Sequence, residues 1–241
     1  AIEYLQKCLK SGVIPKKDVF YNLAVVYDHK GDYQNALDYL LKTLKITDDK
    51  ENVRSYIGDI YMKLNRTTDA IDFYKGVLRN NPESQVSAYK LGNAFFIEGS
   101  LTLSRSYFMN IIENKNKPNQ QAKYISLAYM RMGDIEFIQK NFDSASENYS
   151  LSLKYDKNNI DINIRLMRVN IYLRKYPKTE ETLKGLLTTT GSDEKRSEIL
   201  ALLGLLKSKQ GYKNRATYYL KEAIKLNKLN KEAHEILSMI E

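Results

Sequence analysis

The sequence predicts an all-α fold, a solenoid of stacked helix-turn-helix units, and three observations carry that prediction. Glycine and proline are scarce, 11 and 4 in 241 residues, so the chain lacks the punctuation that many tight β-turns need. Hydrophobic residues make up 43% of the chain, ample for a buried core. Most tellingly, small and large side chains recur at a spacing of 34 residues, a period that marks a repeat architecture.

The period is visible residue by residue. Leu23, Ile57 and Leu91 are each followed by a small residue (Ala24, Gly58, Gly92) and, a turn later, by an aromatic one (Tyr27, Tyr61, Phe95). A second set opens with Ala36, Ala70 and Ser104, where serine departs from alanine, and continues with the large residues Leu40, Tyr74 and Phe108. Spacings of three and four place each set on one helix face. Small slots let two helix backbones approach, and the large residues fill the groove between them. Replacing Ala70 by leucine is therefore expected to overpack that contact by about 1–3 kcal/mol.

Taken in order, residues 1–16 read as the second helix of a repeat begun upstream, with Ala1 and Cys8 in small slots, Leu5 in the large slot and Pro15 just past the end. Repeats follow at 17–50, 51–84 and 85–118; Pro82 stands where the middle one should end. The next, 126–159, restores Met132, Gly133, Phe142, Ala145, Tyr149 and Ser152 after seven extra residues, NQQAKYI. Seven residues are close to two helical turns, so they can lengthen a helix without rotating its buried face; a longer loop around Pro118 is the alternative. In 160–193 the second half keeps Tyr176, Leu183 and Leu186, while the first-helix register stays open. Leu203, Gly204, Gly211, Ala216, Leu220 and Ala223 mark 197–230, and 231–241 reads as a capping or truncated first helix. The expectation is one domain over 1–241, cut from a longer array.

This pattern resembles the tetratricopeptide repeat family, and 51–84 is its best match. The resemblance implies a right-handed α-solenoid in which each hairpin must stack on its neighbours to bury its apolar stripe. It also implies a concave surface built mainly by the first helix of each repeat, and a protein-protein interaction role without catalysis.

The chemistry-bearing residues agree with a binding protein. No glycine-rich phosphate loop, GxSxG elbow or HExxH pair occurs, so no catalytic, cofactor or metal residue is expected. His29 and His234 have no ligand-spaced partner. Cys8, the single cysteine, allows no internal disulfide and is read as a buried packing residue. Glu180 and Glu181 suit an early helix position, where negative charge meets the helix dipole. Asp48 and Asp49 belong to the loop between repeats. The sequons at Asn65 and Asn148 are chance matches in an asparagine-rich chain, and most of the 19 tyrosines fill the repeat's own aromatic slots. No apolar stretch is long enough to span a bilayer. The compartment is not fixed: the cytoplasm is slightly favoured, with periplasmic or membrane-tethered placement open.

Placing the family's concave phases on this sequence yields a profile for the groove. Asp18, Tyr21, Val25, Asp28 and His29 come first, then Asn52, Ser55, Asp59, Met62 and Lys63, a mixed and acidic beginning. Val86, Tyr89, Asn93, Phe96 and Ile97 follow, then Leu127, Met130, Asp134, Phe137 and Ile138, which are strongly apolar. A protein or peptide partner is therefore expected at Tyr89, Asn93, Phe96, Ile97, Met130, Asp134, Phe137 and Ile138, with Asn93 free to bond peptide backbone. Packing against the adjacent repeat or under the insertion is the competing reading of the aromatic positions. Of the family's carboxylate clamp only Lys90, Asn93 and Arg131 are present, with Tyr21, Val25, Ser55 and Asp59 at other clamp phases, so chaperone-tail binding is not expected.

The formal net charge is +9, and Lys207, Lys209, Lys213, Arg215, Lys221, Lys225, Lys228 and Lys231 cluster late in the chain. The alternative function is thus nucleic-acid or acidic-surface binding through the basic C-terminal repeat, although nucleic acid is the less favoured partner. Self-association through open repeat ends is a further expectation.

Overall fold

Each repeat builds its turn the same way. The first helix ends on a residue with left-handed backbone, at Gly31, Asn65, Gly99, Lys140, Arg174 and Gly211, with φ between 58° and 89°. The amide after it reaches back to a carbonyl five residues earlier, as in Asp32 to Tyr27 (3.0 Å), Arg66 to Tyr61 (2.9 Å) and Asn141 to Glu136 (2.9 Å). This bond satisfies a carbonyl that the helix end would otherwise leave without a partner. Only four of these turns use glycine or asparagine, the residues that adopt this backbone at least cost; Lys140 and Arg174 adopt it regardless.

The computed structural model describes residues 1–115 and 121–240. The loop expected around Pro118, the start of the insertion and Glu241 lie outside the described residues. Among the described residues there are fourteen α-helices and no strand: α1 (Ile2–Ser11), α2 (Lys16–His29), α3 (Tyr33–Ile46), α4 (Lys50–Lys63), α5 (Thr67–Asn80), α6 (Gln85–Glu98), α7 (Leu101–Glu113), α8 (Ala122–Ile138), α9 (Phe142–Tyr155), α10 (Ile160–Tyr172), α11 (Tyr176–Thr189), α12 (Asp193–Lys209), α13 (Lys213–Leu226) and α14 (Lys231–Ile240). The chain divides into two compact units, Ala1–Tyr124 and Ile125–Glu241, with the boundary inside α8.

In unit 1, α2 packs on α3, α4 on α5 and α6 on α7, while α3 on α4 and α5 on α6 join successive hairpins. Its core runs through the periodic slots: Ala24, Ala36, Leu40, Ile57, Ala70, Tyr74, Leu91 and Phe95 form one buried cluster. The small slots are needed at atomic scale. A Cβ on Gly58 would lie 2.4 Å from Cε1 of Tyr74, and one on Gly92 would lie 2.9 Å from Cε1 of Phe108. Ser104, the departure from alanine, is fully buried and donates to the Gly92 carbonyl at 2.9 Å, so its hydroxyl is satisfied within the small slot. Cys8 is buried beside Val19 and Leu23.

In unit 2, Gly133 meets Tyr149 and Gly204 meets Leu220 in the same way, each with a would-be Cβ at 2.6 Å. Buried hydroxyls join the two helices of a hairpin: Ser126 donates to the Ser152 carbonyl at 3.0 Å, and Ser197 donates to the Ala223 carbonyl at 2.8 Å. Two helices have 17 residues instead of the 13 or 14 usual here. One is α8, which begins at Ala122, so part of the insertion is helical. The first helix over 160–193 is α10, whose N-cap Asn159 accepts from the amides of Asp161 and Ile162.

Candidate functional site

The first helices of unit 1 wall an open trough of about 840 Å³. Asp18, Tyr21 and Val25 of α2, Asn52, Ser55 and Asp59 of α4, and Val86 and Lys90 of α6 line it. Spacings of three and four keep each set on one helix face, and the 34-residue period carries that face from Asp18 to Asn52 to Val86. The trough also takes in Lys17, Tyr56 and the α3–α4 loop with Asp48 and Asp49, which the groove profile did not include. Asp49 caps α4 by accepting the amide of Asn52.

Carboxylates on the first helices are clasped by side chains of their own hairpin, of the following repeat, or of both. Asp59 accepts the Tyr74 hydroxyl (2.7 Å) and the Lys90 ammonium (2.6 Å), which also donates to Ser55 (2.9 Å). In unit 2, Asp134 accepts the Tyr149 hydroxyl (2.8 Å), Arg165 (2.6 Å) and Arg131 (2.9 Å). Asp28 accepts Tyr56 (2.9 Å) and Lys63 (2.7 Å). Burial first, and then the charge of Asp59 or Asp134, pushes the Tyr74 and Tyr149 hydroxyls far above the ordinary phenol range, so both stay protonated donors. Sequence offered one signal for these clasps: a cation 31 residues after the aspartate, at Lys90 and again at Arg165. The clamp fragments Lys90 and Arg131 are therefore already engaged.

The expected partner-binding residues fall in both units. In unit 1, Tyr89 packs its ring against Phe108 (5.9 Å) and Tyr124 (5.8 Å), and Phe96 is half-buried. Ile97 is 56% exposed. Asn93 stands where Asp59 and Asp134 stand in their repeats, but the residue fifteen positions on is Phe108, which has no hydroxyl. Its Oδ1 is buried without a hydrogen-bond partner among the described residues. In unit 2, Ile138 is 55% exposed, whereas Phe137 packs against Phe142 and Tyr172, both with ring centroids at 5.7 Å. Met130 and Asp134 are buried, because α9 and α10 cover them: Met130 clusters with Ala145 and Tyr149 of α9 and with Ile162 and Val169 of α10, and Asp134 is bonded by Tyr149 and Arg165.

Two further sequence readings change. Lys207 does not belong to the basic surface: only 4% exposed, it donates to Glu180 (2.5 Å) and Gln210 (3.2 Å). Glu180 in turn bonds Lys184 (2.8 Å), and these two lysines hold its carboxyl below the ordinary range. Its role is an ion pair between α11 and α12, beyond favouring a helix start. His29 is exposed at the end of α2, and the ring of His234 meets the Lys228 carbonyl at 3.0 Å. No helix among the described residues is long and apolar enough to cross a membrane.

Family models described as tetratricopeptide repeat match residues 19–54 and 57–119. Residues 19–119 belong to the tetratricopeptide repeat family. No curated protein matches the chain. Among solved structures, a tetratricopeptide repeat protein from Parabacteroides merdae is similar at 18% identity, covering 100% of this chain and 91% of that one, with a TM-score of 0.72. PilF of Pseudomonas aeruginosa is similar at 15% identity, covering 93% and 97%, with a TM-score of 0.72. A structure of the APC/C hetero-tetramer Cut9-Hcn1 is similar at 13% identity over 98% of this chain and 45% of that one, with a TM-score of 0.75. At these identities the likeness is one of fold. It extends the tetratricopeptide repeat architecture beyond the residues that the family models match, and the repeats support a protein-interaction scaffold as the general class.

Proposed function

We propose that the chain is a non-catalytic scaffold that holds a partner peptide or helix against the first-helix faces of its repeats, taken as 17–50, 51–84, 85–118, 126–159, 160–193 and 197–230. The observation that carries this reading is the unit 1 trough, whose walls are the face that the repeat period repeats. Tyr89, Asn93, Phe96 and Ile97 continue that face along α6, and Phe137 and Ile138 are the corresponding positions of α8, with Met130 and Asp134 beneath them. Exposed isoleucines beside half-buried aromatics supply apolar area that a partner can cover.

The test is capture of partners from the native source by the chain, its Phe96→Ser variant and its Phe137→Ser variant. Loss of the same captured protein with either change, at unchanged melting temperature, is the expected result; undiminished capture by both would overturn the site.

A second reading has one observation in its favour. Arg215, Tyr218, Lys221 and Lys225 are exposed on α13, with Tyr218 at 62%. An anionic partner there requires binding that weakens steeply with salt, and nuclease-resistant, salt-insensitive capture would set it aside.

A further inference from the structure

Two ion pairs in unit 1 share one chemistry. Lys63 closes on Asp28 with its ammonium 5.6 Å from the Tyr33 ring centroid, and Lys90 closes on Asp59 with its ammonium 5.9 Å from that of Tyr74. In each, a lysine is held by a carboxylate and an aromatic face together. Asp18 and Tyr21 bring the same two groups to the trough, one turn apart on α2. Here the carboxylate is exposed and has no cation among the described residues, and the Tyr21 ring, 38% exposed, keeps only an edge contact to Tyr56 at 6.0 Å. The other cations of the trough are committed: Lys17 to Asp48 (3.7 Å) and Lys90 to Asp59. Asp18 and the helix-capping Asp49 are left without a counter-cation among the described residues, so the trough is negative on a chain whose net charge is +9.

We infer that this trough takes a peptide segment carrying lysine or arginine, with the cation held between the Asp18 carboxylate and the Tyr21 ring. This rests on the groove reading above and adds the chemical class of the partner. A carboxylate beside an aromatic face favours a cation through both its charge and the ring quadrupole. The same uncompensated charge repels an acidic segment, so the trough selects as well as binds. Asp18 and Tyr21 act at the N-terminal part of the face, and the apolar anchors Phe96 and Ile97 act further along unit 1.

The test uses the whole chain and three fluorescein-labelled peptides with identical leucine anchors and either lysine, glutamine or glutamate at the flanking positions, read by fluorescence anisotropy. The lysine peptide is expected to bind tightest, with its advantage shrinking as salt is raised. Asp18→Asn is expected to lower its affinity about threefold while leaving the glutamine peptide unchanged, the scale of an exposed ion pair. Asp18 is exposed and Asn keeps its shape, so a thermal melt will show an intact fold. Lysine-peptide binding indifferent to Asp18→Asn would overturn the inference, as would a preference for the glutamate peptide. Equal binding of all three peptides that Phe96→Ser weakens would overturn the cation preference and leave the groove reading standing. Failure of all three to bind would overturn both.

Discussion

The Tyr149 hydroxyl donates to the Asp134 carboxylate at 2.8 Å, the same bond that Tyr74 makes to Asp59 at 2.7 Å one unit earlier. In both repeats the tyrosine comes from the second helix and the aspartate from the first, and a cation from the next repeat closes the group. The clasp therefore joins the two helices of a hairpin and links that hairpin to the one after it.

Tyr149→Phe is expected to destabilise the chain by about 1.5–3 kcal/mol, the value of a hydrogen bond to a charged group. Tyr74→Phe should cost less, because the Asp59 side chain is 35% exposed against 6% for Asp134, and water can replace part of the lost bond. Urea unfolding of the two variants measures the difference; equal losses would show that burial of the acceptor does not set the cost.

Gly58→Ala and Gly76→Ala should move stability in opposite directions. At Gly58 the new methyl lies 2.4 Å from the Tyr74 ring, and the overpacking should cost about 1–3 kcal/mol. At Gly76, inside α5, a Cβ meets nothing within 4 Å, and alanine should add up to about 1 kcal/mol through helix propensity. Thermal melts of the pair check both signs.

Arg174 holds φ at 58° in the α10–α11 turn, a conformation that costs a side-chain-bearing residue about 1–2 kcal/mol. Arg174→Gly removes the clash and should raise the melting temperature, although glycine's greater freedom in the unfolded chain offsets part of the gain. A lowered melting temperature would show that the arginine side chain does more for the fold than its backbone costs.

The Glu180 pair with Lys184 and Lys207 makes stability depend on pH. Glu180 is held below its ordinary value of 4.5, so its ionised form is favoured by the fold. Its contribution is fully present above the ordinary value and is lost as pH falls through the depressed folded one. Glu180→Gln should flatten the acid limb of the stability curve below pH 4.5, and it should also destabilise near neutrality, because Lys207 remains buried without its carboxylate. Denaturant titrations of both proteins across the acid range measure this; parallel acid limbs would exclude Glu180 as a contributor.

The period alone located the close contacts of the fold. Gly58 against Tyr74 and Gly133 against Tyr149 lie where small and large slots were aligned, because a 34-residue repeat places the same pair of helix faces together each time. Of the candidate surface, Ile97 and Ile138 could be read as outward-facing from helix phase. Met130 could not, because phase says which way a side chain leaves its own helix and nothing of what the next helix places over it. Lys207 misled for the same reason: among late lysines it looked like basic surface, and its ion pair with Glu180, 27 positions earlier, together with its bond to Gln210, makes burial tolerable.

The sequence by itself determined the helix-turn-helix period, the small slots where backbones meet, and the acidic character of the early first-helix face. These are local or periodic properties, set by residue size and by the helix repeat. Only the tertiary structure decided which charges are spent and which remain. Asp59, Asp134 and Glu180 are neutralised by cations 27 to 31 residues away, while Asp18 meets none among the described residues, because an ion pair forms between groups that folding brings within a few ångströms, whatever their separation along the chain.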